Sequence, residues 1–496
     1  MHSSVGVSKI RQEQSEVAPS VDLRIIKPLE RQRPLGGFWR MIIAGEVIAD
    51  LVTITSSIAL SYSAYYALSL GKHLHYRTQS VWGVGLGFSI VMVLMFDRAG
   101  AYARGNSLLR VRETEQVLRV SSQAFLIALA ISFSSGLLFS RWLLVLCFTL
   151  VPLALFAQKT CMYMLVNTLH AKGYGKERVL IYGAGHTGRR VYSVLRRSPK
   201  LGLEPVAFVD DCPEKVGCAV LELGYENRGS ASVMRGPMTR HLVSECAADV
   251  VVIAIPSIQH EKFHMVVEEV LAANARVSFV PSTFVHSGPL VDFQDIDGVL
   301  LASFSRGSRR FTYEWAKRIF DLSSAAALLL LSSPLFLLLA ILIKLDSEGP
   351  VLFQQERVGL NGLRFRMFKF RTMHRQAPAY AYSPKEVGDP RITRLGRWLR
   401  RTSLDEVPQL LNVLAGDMSL VGPRPEMPFI VERYGERDFQ RMQVKPGITG
   451  LWQLSGDRKF LIHENIEYDL YYIKYRSFFM DLAILLHTVI FAMRGI

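Results

Sequence analysis

Cysteine is scarce. The chain has five, Cys147, Cys161, Cys212, Cys218 and Cys246, with no CxxC pair and no spaced histidine partners. That scatter excludes a disulfide framework and a zinc site built on such spacing. Acidic residues are also in deficit: 43 Asp and Glu stand against 58 Lys and Arg, a formal charge of +15. The N-terminal region lacks the compact charged stretch and apolar run of a secretory signal. Residues 1–40 are polar and mixed, with Arg24, Lys27, Arg31, Arg33 and Arg40 near the end, and read as a cytoplasmic tail. Half of the residues are hydrophobic. A chain both apolar and basic suits a membrane protein with basic cytoplasmic surfaces better than a soluble nucleic-acid binder, so no nucleic-acid partner is expected. Its 496 residues leave room for about three domains at ~150 residues each.

Four apolar segments, 41–64, 80–97, 120–140 and 142–160, follow the tail. Each approaches the ~20 residues that a helix needs to cross a bilayer, although the second is short and rich in glycine. Arg98, Arg104, Arg110, Arg112 and Arg119 crowd the loop between the second and third, and Lys159, Lys172, Lys176 and Arg178 follow the fourth. Residues 41–160 therefore read as four transmembrane helices with both chain ends and the middle loop on the cytoplasmic side. Lys72, His73, His75 and Arg77 in the first loop weaken that asymmetry without reversing it. Asp50, inside the first helix, reads as an interhelical or helix-end hydrogen bond rather than a functional carboxylate.

Residues 175–282 change character. Arg178-Val179-Leu180-Ile181-Tyr182 has the pattern of a buried strand, and Gly183-Ala184-Gly185-His186-Thr187-Gly188 then opens a helix. This is GxGxxG in the right context: a tight turn, a close backbone approach and a helix N-terminus able to hold phosphate. Val206–Val209 leads into Asp210, where an acidic residue could meet a ribose, and Asp249–Pro256 continues the alternation. The segment reads as a Rossmann-like α/β cytoplasmic domain, with Gly183, Gly185, Gly188 and Asp210 as candidate nucleotide contacts. Such a domain can lose its ligand and keep its glycines for packing, so a bound nucleotide remains open beside a regulatory or homodimerising role. Residues 283–312 read as a linker with slight strand character. Tyr313-x-x-x-Lys317 has the spacing of a dehydrogenase pair, but it lies outside the α/β region, where chance is the better explanation.

A fifth apolar segment, Ile319 to Ile343, lies between Lys317-Arg318 and Lys344, and Ser333-Pro334 interrupts it. Basic residues flank both ends, and Arg357, Arg364, Arg366, Lys369, Arg371 and Arg375 follow, which favours the same side of the membrane for both ends. Proline removes one helical hydrogen bond and serine can satisfy the freed backbone group. Residues 313–345 therefore read as a juxtamembrane segment and a re-entrant helix broken at Ser333 and Pro334, rather than a kinked span.

Further on, Asp405-Glu406 sits where a polar stretch turns into an apolar helical run. Ser403-x-x-Glu406 has the form of a capping box, and Pro408 suits the first turn of a helix. The surrounding motifs point elsewhere. They are Gly349-Pro350-Val351-Leu352-Phe353-Gln354-Gln355-Glu356-Arg357-Val358-Gly359, Phe368-Lys369-Phe370-Arg371-Thr372-Met373, Asp389-Pro390-Arg391, Thr402-Ser403-Leu404-Asp405-Glu406-Val407-Pro408-Gln409, Gly422-Pro423-Arg424-Pro425-Glu426 and Lys445-Pro446-Gly447-Ile448-Thr449-Gly450. From about Tyr313 onward the chain resembles the bacterial sugar transferase family, the monotopic polyprenyl-phosphate hexose-1-phosphate transferases. The whole layout is similar to its large glucose and galactose members.

The resemblance implies an α-rich monotopic catalytic domain at 346–496 in a multi-pass protein of the bacterial inner membrane, with its soluble and catalytic domains in the cytoplasm. It implies that a UDP-hexose gives its sugar phosphate to an enzyme carboxylate and releases UMP, after which undecaprenyl phosphate takes the sugar phosphate. The product would start exopolysaccharide, capsule or O-antigen. Glucose is the first expectation and galactose the second; a membrane-bound NAD-dependent nucleotide-sugar epimerase or dehydratase is the alternative from another class. Carried over by motif, Asp405 is the nucleophile, Glu406 a ligand of Mg²⁺, Lys369 a catalytic cation, and Arg371 and Arg424 phosphate contacts. The residue types suit the chemistry, because two phosphates repel an attacking carboxylate unless Mg²⁺ and basic side chains neutralise them. The last stretch, Phe478 to Met493, reads equally as an interfacial helix or as one packed on the catalytic core.

Overall fold

A computed structural model describes residues 35–70, 78–102, 110–134, 140–197, 201–217, 219–220, 231–280, 290–296, 299–305, 311–377, 389–435, 438–455 and 466–493. The polar tail up to residue 34, the first loop with Lys72, His73, His75 and Arg77, Arg104 and Cys218 lie outside them. The chain forms two compact units, one of Met1–Glu46 with Cys161–Val285 and one of Val47–Thr160 with His286–Ile496.

The N-terminal apolar segments are helices: α1 Leu35–Ala67, α2 Thr78–Arg98, α3 Arg110–Ser134 and α4 Arg141–Ala171. Among the described residues, four helices are long and apolar enough to cross a membrane. Three are α1, α3 and α4, and the fourth covers Thr312–Asp346. The glycine-bearing α2 is shorter, 21 residues. Asp50 is fully buried; its Oδ2 accepts from Lys159 Nζ and from the Tyr102 hydroxyl, both at 2.7 Å. It thus joins α1 to α4 as an interhelical ion pair, the use to which membrane carboxylates are commonly put when buried.

The first unit holds a six-stranded sheet built from β1 Glu177–Tyr182, β2 Leu203–Asp210, β3 Ala219–Val220, β4 Ala231–Arg235, β5 Val250–Ile253 and β6 Arg276–Phe279. Its order is β3-β4-β2-β1-β5-β6, parallel except at the short edge strand β3. The central strands are apolar on both faces because α5 His186–Arg197, α6 Arg240–Glu245 and α7 His260–Ala272 accompany the sheet. Leu180, Tyr182 and Val251 belong to one core cluster, and Val179, Ile181 and Phe208 to the other. This is the expected doubly wound topology. Within the expected linker, Leu290–Ile296 and Val299–Ser305 pair as an antiparallel hairpin, β7–β8.

In the second unit, α8 Phe311–Asp346 is one continuous helix of 36 residues containing Pro334. The helical backbone is not interrupted at the expected break, Ser333 and Pro334. Proline at 334 frees the carbonyl of Leu330, and the Ser333 hydroxyl donates to that same oxygen at 2.8 Å, so the helix runs through. Both halves of α8 pack on the C-terminal domain. Phe320, Ala325 and Leu329 join the cluster of Leu410, Val413, Met480 and Ile484, while Phe336, Leu339 and Ile343 join that of Phe370 and Leu399; Val407 contributes to both.

The C-terminal domain contains the antiparallel hairpin of β9 Leu352–Val358 and β10 Arg364–Phe370, then α9 Arg394–Thr402 and α10 Gln409–Ala415. The short strands β11 Ser419–Val421 and β12 Gly447–Thr449 pair in parallel, and α11 Glu467–Tyr475 and α12 Phe478–Met493 close the chain. Met480, Ala483 and Ile484 of α12 are fully buried in the core of the C-terminal domain, and Val111 and Leu118 of α3 enter the same cluster. Thr114 Oγ1 and His487 Nε2 lie 2.9 Å apart across that seam. The last helix is therefore packed on the core, with α3 as its other neighbour.

Candidate active site

The Asp405-Glu406 pair lies in a single 3₁₀ turn, Leu404–Glu406, between α9 and α10. Thr393 caps α9, its hydroxyl accepting from Gly396 N at 2.9 Å. Ser403 ends that helix in the left-handed region, at φ 57°, and its side chain makes no capping bond. The expected capping box is thus absent. Glu406 turns instead to cations, because charge-assisted bonds are stronger than those to a neutral amide. Its Oε1 accepts from Lys369 Nζ at 2.7 Å and from Arg424 Nη2 at 3.3 Å.

Two buried polar locks hold this geometry. Asn412 on α10 is fully buried; its Oδ1 accepts from Phe368 N at 3.0 Å and its Nδ2 donates to Arg366 O at 2.7 Å. That amide clips α10 to the strand that carries Lys369. Asn412 was not singled out in the sequence because nothing distinguishes a buried asparagine in an apolar helix from a surface one. Arg441 is the second lock, donating to the Arg424 carbonyl at 2.8 Å.

Asp405 behaves differently from its neighbour. It is half-buried and makes no hydrogen bond or ion pair among the described residues. Burial raises its pKa, and the Glu406 charge adds to that against the opposing pull of Lys369, Arg400 and Arg424. Burial would raise Glu406 as well, but Lys369 and Arg424 outweigh it and hold that carboxyl at about 2. Adjacent carboxylates with divergent acidities can take different roles. The contribution of Arg400, in the last turn of α9, was not foreseen; its signal was the Arg400-Arg401 pair just before the motif.

Lys369, Glu406 and Arg424 are brought together as the motifs suggested. Arg371 is not. It is buried, and its Nη2 donates to Ile343 O at 3.3 Å and to Ser347 O and Oγ at 2.5 and 2.9 Å. One guanidinium thus satisfies carbonyls at the C-terminal end of α8, where a cation also suits the helix dipole. Tyr313 and Lys317 likewise serve structure: their hydroxyl and ammonium groups donate to Asp481 Oδ2 at 2.8 and 2.9 Å.

For Mg²⁺, the described residues contain no cluster of three or more His, Cys, Asp or Glu side chains suited to a metal. Asp405 and Glu406 nonetheless supply two adjacent carboxylates. Magnesium is commonly held by one or two carboxylates plus substrate phosphates, so this donor set fits.

In the Rossmann-like domain, Gly183 has φ +108°, and a Cβ there would lie 2.6 Å from Ile255 Cγ1. A Cβ on Gly188 would collide with the Gly183 carbonyl, whereas one on Gly185 would meet open space. Two of the three glycines are therefore required by the chain itself. Asp210 faces inward instead of standing ready for a ribose: Oδ2 accepts from Ala184 N at 2.8 Å and Lys215 Nζ at 3.1 Å, and Oδ1 accepts from Cys212 N at 2.9 Å. Burial would raise its pKa, but these donors outweigh burial and lower it.

The profile described as bacterial sugar transferase matches residues 312–495, and one described as CoA-binding domain matches 97–281. The UDP-glucose:undecaprenyl-phosphate glucose-1-phosphate transferase of Escherichia coli (strain K12) is 31% identical over 353 residues, covering 69% of this chain and 73% of that protein. The undecaprenyl-phosphate galactose phosphotransferase of Salmonella typhimurium is 30% identical over 370 residues, 71% of this chain and 74% of that protein. The undecaprenyl-phosphate glucose phosphotransferase of Komagataeibacter xylinus is 44% identical over 196 residues, but these are only 36% of this chain and 37% of that protein. With a profile over the domain that carries Asp405 and relatives matched along most of their length, the chain belongs to the bacterial sugar transferase family.

Proposed function

We propose that this enzyme transfers hexose-1-phosphate from a UDP-hexose to undecaprenyl phosphate, with glucose the first candidate sugar and galactose the second. The observation that carries the reading is the Asp405 carboxylate, without a hydrogen bond among the described residues, beside a Glu406 already engaged by Lys369 and Arg424. In the first step an Asp405 oxygen attacks the phosphorus that bears the sugar. The bond from that phosphorus to the bridging oxygen breaks, and UMP leaves with the electron pair. In the second step a phosphate oxygen of undecaprenyl phosphate attacks the aspartyl phosphosugar and displaces the carboxylate. Lys369 and Arg424 lie where they can pass from Glu406 to phosphate oxygens as charge develops. Glu406, beside Asp405, would hold Mg²⁺, and the ion would supply neutralisation of the diphosphate charge.

The membrane arrangement is supported by the packing of α8. Its two halves, on either side of Pro334, rest on one catalytic domain through clusters that share Val407. A helix crossing to the far side would carry one end away from that domain. We read α8 as entering and leaving the cytoplasmic leaflet of the bacterial inner membrane, with the catalytic domain at headgroup level between a water-soluble UDP-sugar and a lipid acceptor. The lipid-linked sugar diphosphate would begin exopolysaccharide, capsule or O-antigen synthesis.

The test is incubation of the purified protein in lipid nanodiscs with undecaprenyl phosphate and a panel of UDP-hexoses labelled in the sugar. UMP release with label passing to lipid supports the reading, and the most efficient sugar identifies the donor. Full turnover in Asp405→Asn would remove Asp405 as nucleophile, and no transfer from any UDP-hexose would remove the reaction.

A further inference from the structure

The Pro423-Arg424-Pro425-Glu426 segment presents Arg424 to Glu406, yet its prolines deprive it of two backbone donors. It must be held largely through its carbonyls, and all four are engaged. Pro423 O accepts from Gly447 N at 2.8 Å and Glu426 O from Val358 N at 2.9 Å. The two between them are held by side chains: Arg424 O accepts from Arg441 Nη2 at 2.8 Å, and Pro425 O from Arg357 Nη1 at 3.1 Å.

Arg441 reaches its carbonyl from the turn Asp438–Gln443 and is only 3% exposed. Its Nη2 pairs with Asp469 Oδ2 at 2.8 Å, and its Nη1 donates to the Tyr434 hydroxyl at 2.6 Å and faces Glu426 Oε1 at 3.5 Å. Glu426 and Asp469 are themselves buried. Burying such charges is costly unless they are paired, and one planar fork here donates to a carbonyl and a phenol while lying as an ion pair beside two carboxylates. Arg357, on β9, grips Gln355 Oε1 through Nε and Nη2 at 3.1 and 2.6 Å, which fixes the fork whose Nη1 holds Pro425.

We infer that Arg441 and Arg357 are positioning residues: they immobilise the Pro423–Glu426 backbone so that Arg424 meets substrate phosphate already oriented. This rests on the reading that Arg424 binds phosphate. Each arginine reaches this segment through a backbone carbonyl, at Pro425 and at Arg424, and so acts on phosphate through Arg424. Preorganised charge is what makes such a contact effective, because no reorganisation is left for the reaction to drive.

The experiment is a double-mutant cycle on equilibrium UMP binding, measured by calorimetry on the full chain in nanodiscs. Arg424→Gln should weaken UMP by about 10-fold, the loss of one charge-assisted bond. Arg441→Lys should weaken it by roughly 3- to 10-fold alone, and by less than about 2-fold when added to Arg424→Gln, because residues acting through one another are not additive. A merely structural defect would instead lower the number of binding sites per chain and leave the affinity of the rest unchanged. Arg357→Lys lies outside the buried carboxylate cluster and carries the same cycle should Arg441→Lys fail to fold. Equal losses in both backgrounds, unchanged affinity, or a parent protein that binds no UMP would each overturn the inference. Because binding is read without turnover, a parent that binds UMP but transfers no sugar phosphate sinks the proposed reaction and leaves the cycle decisive.

Discussion

Lys369 Nζ donates to Glu406 Oε1 at 2.7 Å, while Asp405, the preceding residue, makes no hydrogen bond among the described residues. Neighbouring positions in one 3₁₀ turn thus separate a carboxylate locked by cations from one left to react. Asp405→Asn should cut UMP release by roughly 10³-fold or more, as loss of a nucleophile does. The same variant should melt no lower than the parent. Asp405 has a raised pKa, so its ionised form is disfavoured in the folded state at neutral pH, and a neutral isostere removes that cost. A thermal melt beside the label-transfer assay checks both halves; an inactive variant that is also markedly less stable would point to a structural role.

The pH profile should carry the same asymmetry. A raised Asp405 pKa moves the acid limb of kcat/KM above the ordinary aspartate value of about 3.9. Activity falls as pH drops through that limb, while Glu406 stays ionised beside Lys369. A limb below the ordinary value would contradict the burial of Asp405.

Glu406 bears on stability with the opposite sign. Its folded carboxyl sits at about 2, below the ordinary glutamate value of about 4.3. The stabilisation is present above that ordinary value and is lost as pH falls toward about 2. Glu406→Gln should lower stability by about 1–3 kcal/mol at pH 7, with Lys369 and Arg424 left without their shared anion. The deficit should shrink in denaturant titrations carried down to acidic pH.

Asn412→Ala should destabilise by about 2–4 kcal/mol, because it strands the Phe368 N–H and the Arg366 carbonyl in a buried setting. It should also slow turnover, since β10 would no longer be registered against α10. Asn412→Leu, of similar size, should fold no better; a stable and fully active leucine variant would show that the clip is dispensable.

Pro334→Ala restores a backbone donor to the Leu330 carbonyl, now met by the Ser333 hydroxyl, and removes the ring that favours a bend. If α8 dips into one leaflet, this change should lower turnover and make a C-terminal cysteine tag accessible from outside the cell in part of the population. Impermeant maleimide labelling of intact cells reads that fraction. No outside labelling together with normal turnover would mean that the proline does not set the topology.

Much of the architecture was legible because it rests on local pattern. Apolar runs gave the helices, and β1 followed by Gly183-x-Gly185 gave the doubly wound domain. Lys369, Glu406 and Arg424 meet as their motifs suggested. What the sequence hid were choices between partners. Ser403 and Glu406 have the letters of a capping box, and only the arrival of Lys369 from a distant strand shows where the carboxylate goes. Arg371 stands two residues from Lys369, yet it lies past the end of β10, where it meets the end of α8 instead of the site. Asp210 has the expected position at the end of β2, but its carboxylate is taken up by the amide of Ala184. Each outcome depends on chain segments brought together by folding, which residue spacing alone does not encode.

The seam between α3 and α12 has a consequence for how the chain is made. Thr114 and His487, 373 positions apart, belong to one contact, and Val111 lies in the same cluster as Met480 and Ile484. α12 is made long after α3, so this core stays unfinished until that later helix has emerged, and the flank of α3 around Val111 stays bare in the meantime. Such long-range closure is slow and leaves the nascent protein open to wrong pairings. A chain that stalls or is cut before Phe478 would therefore leave α3 with that apolar flank exposed and open to wrong pairings.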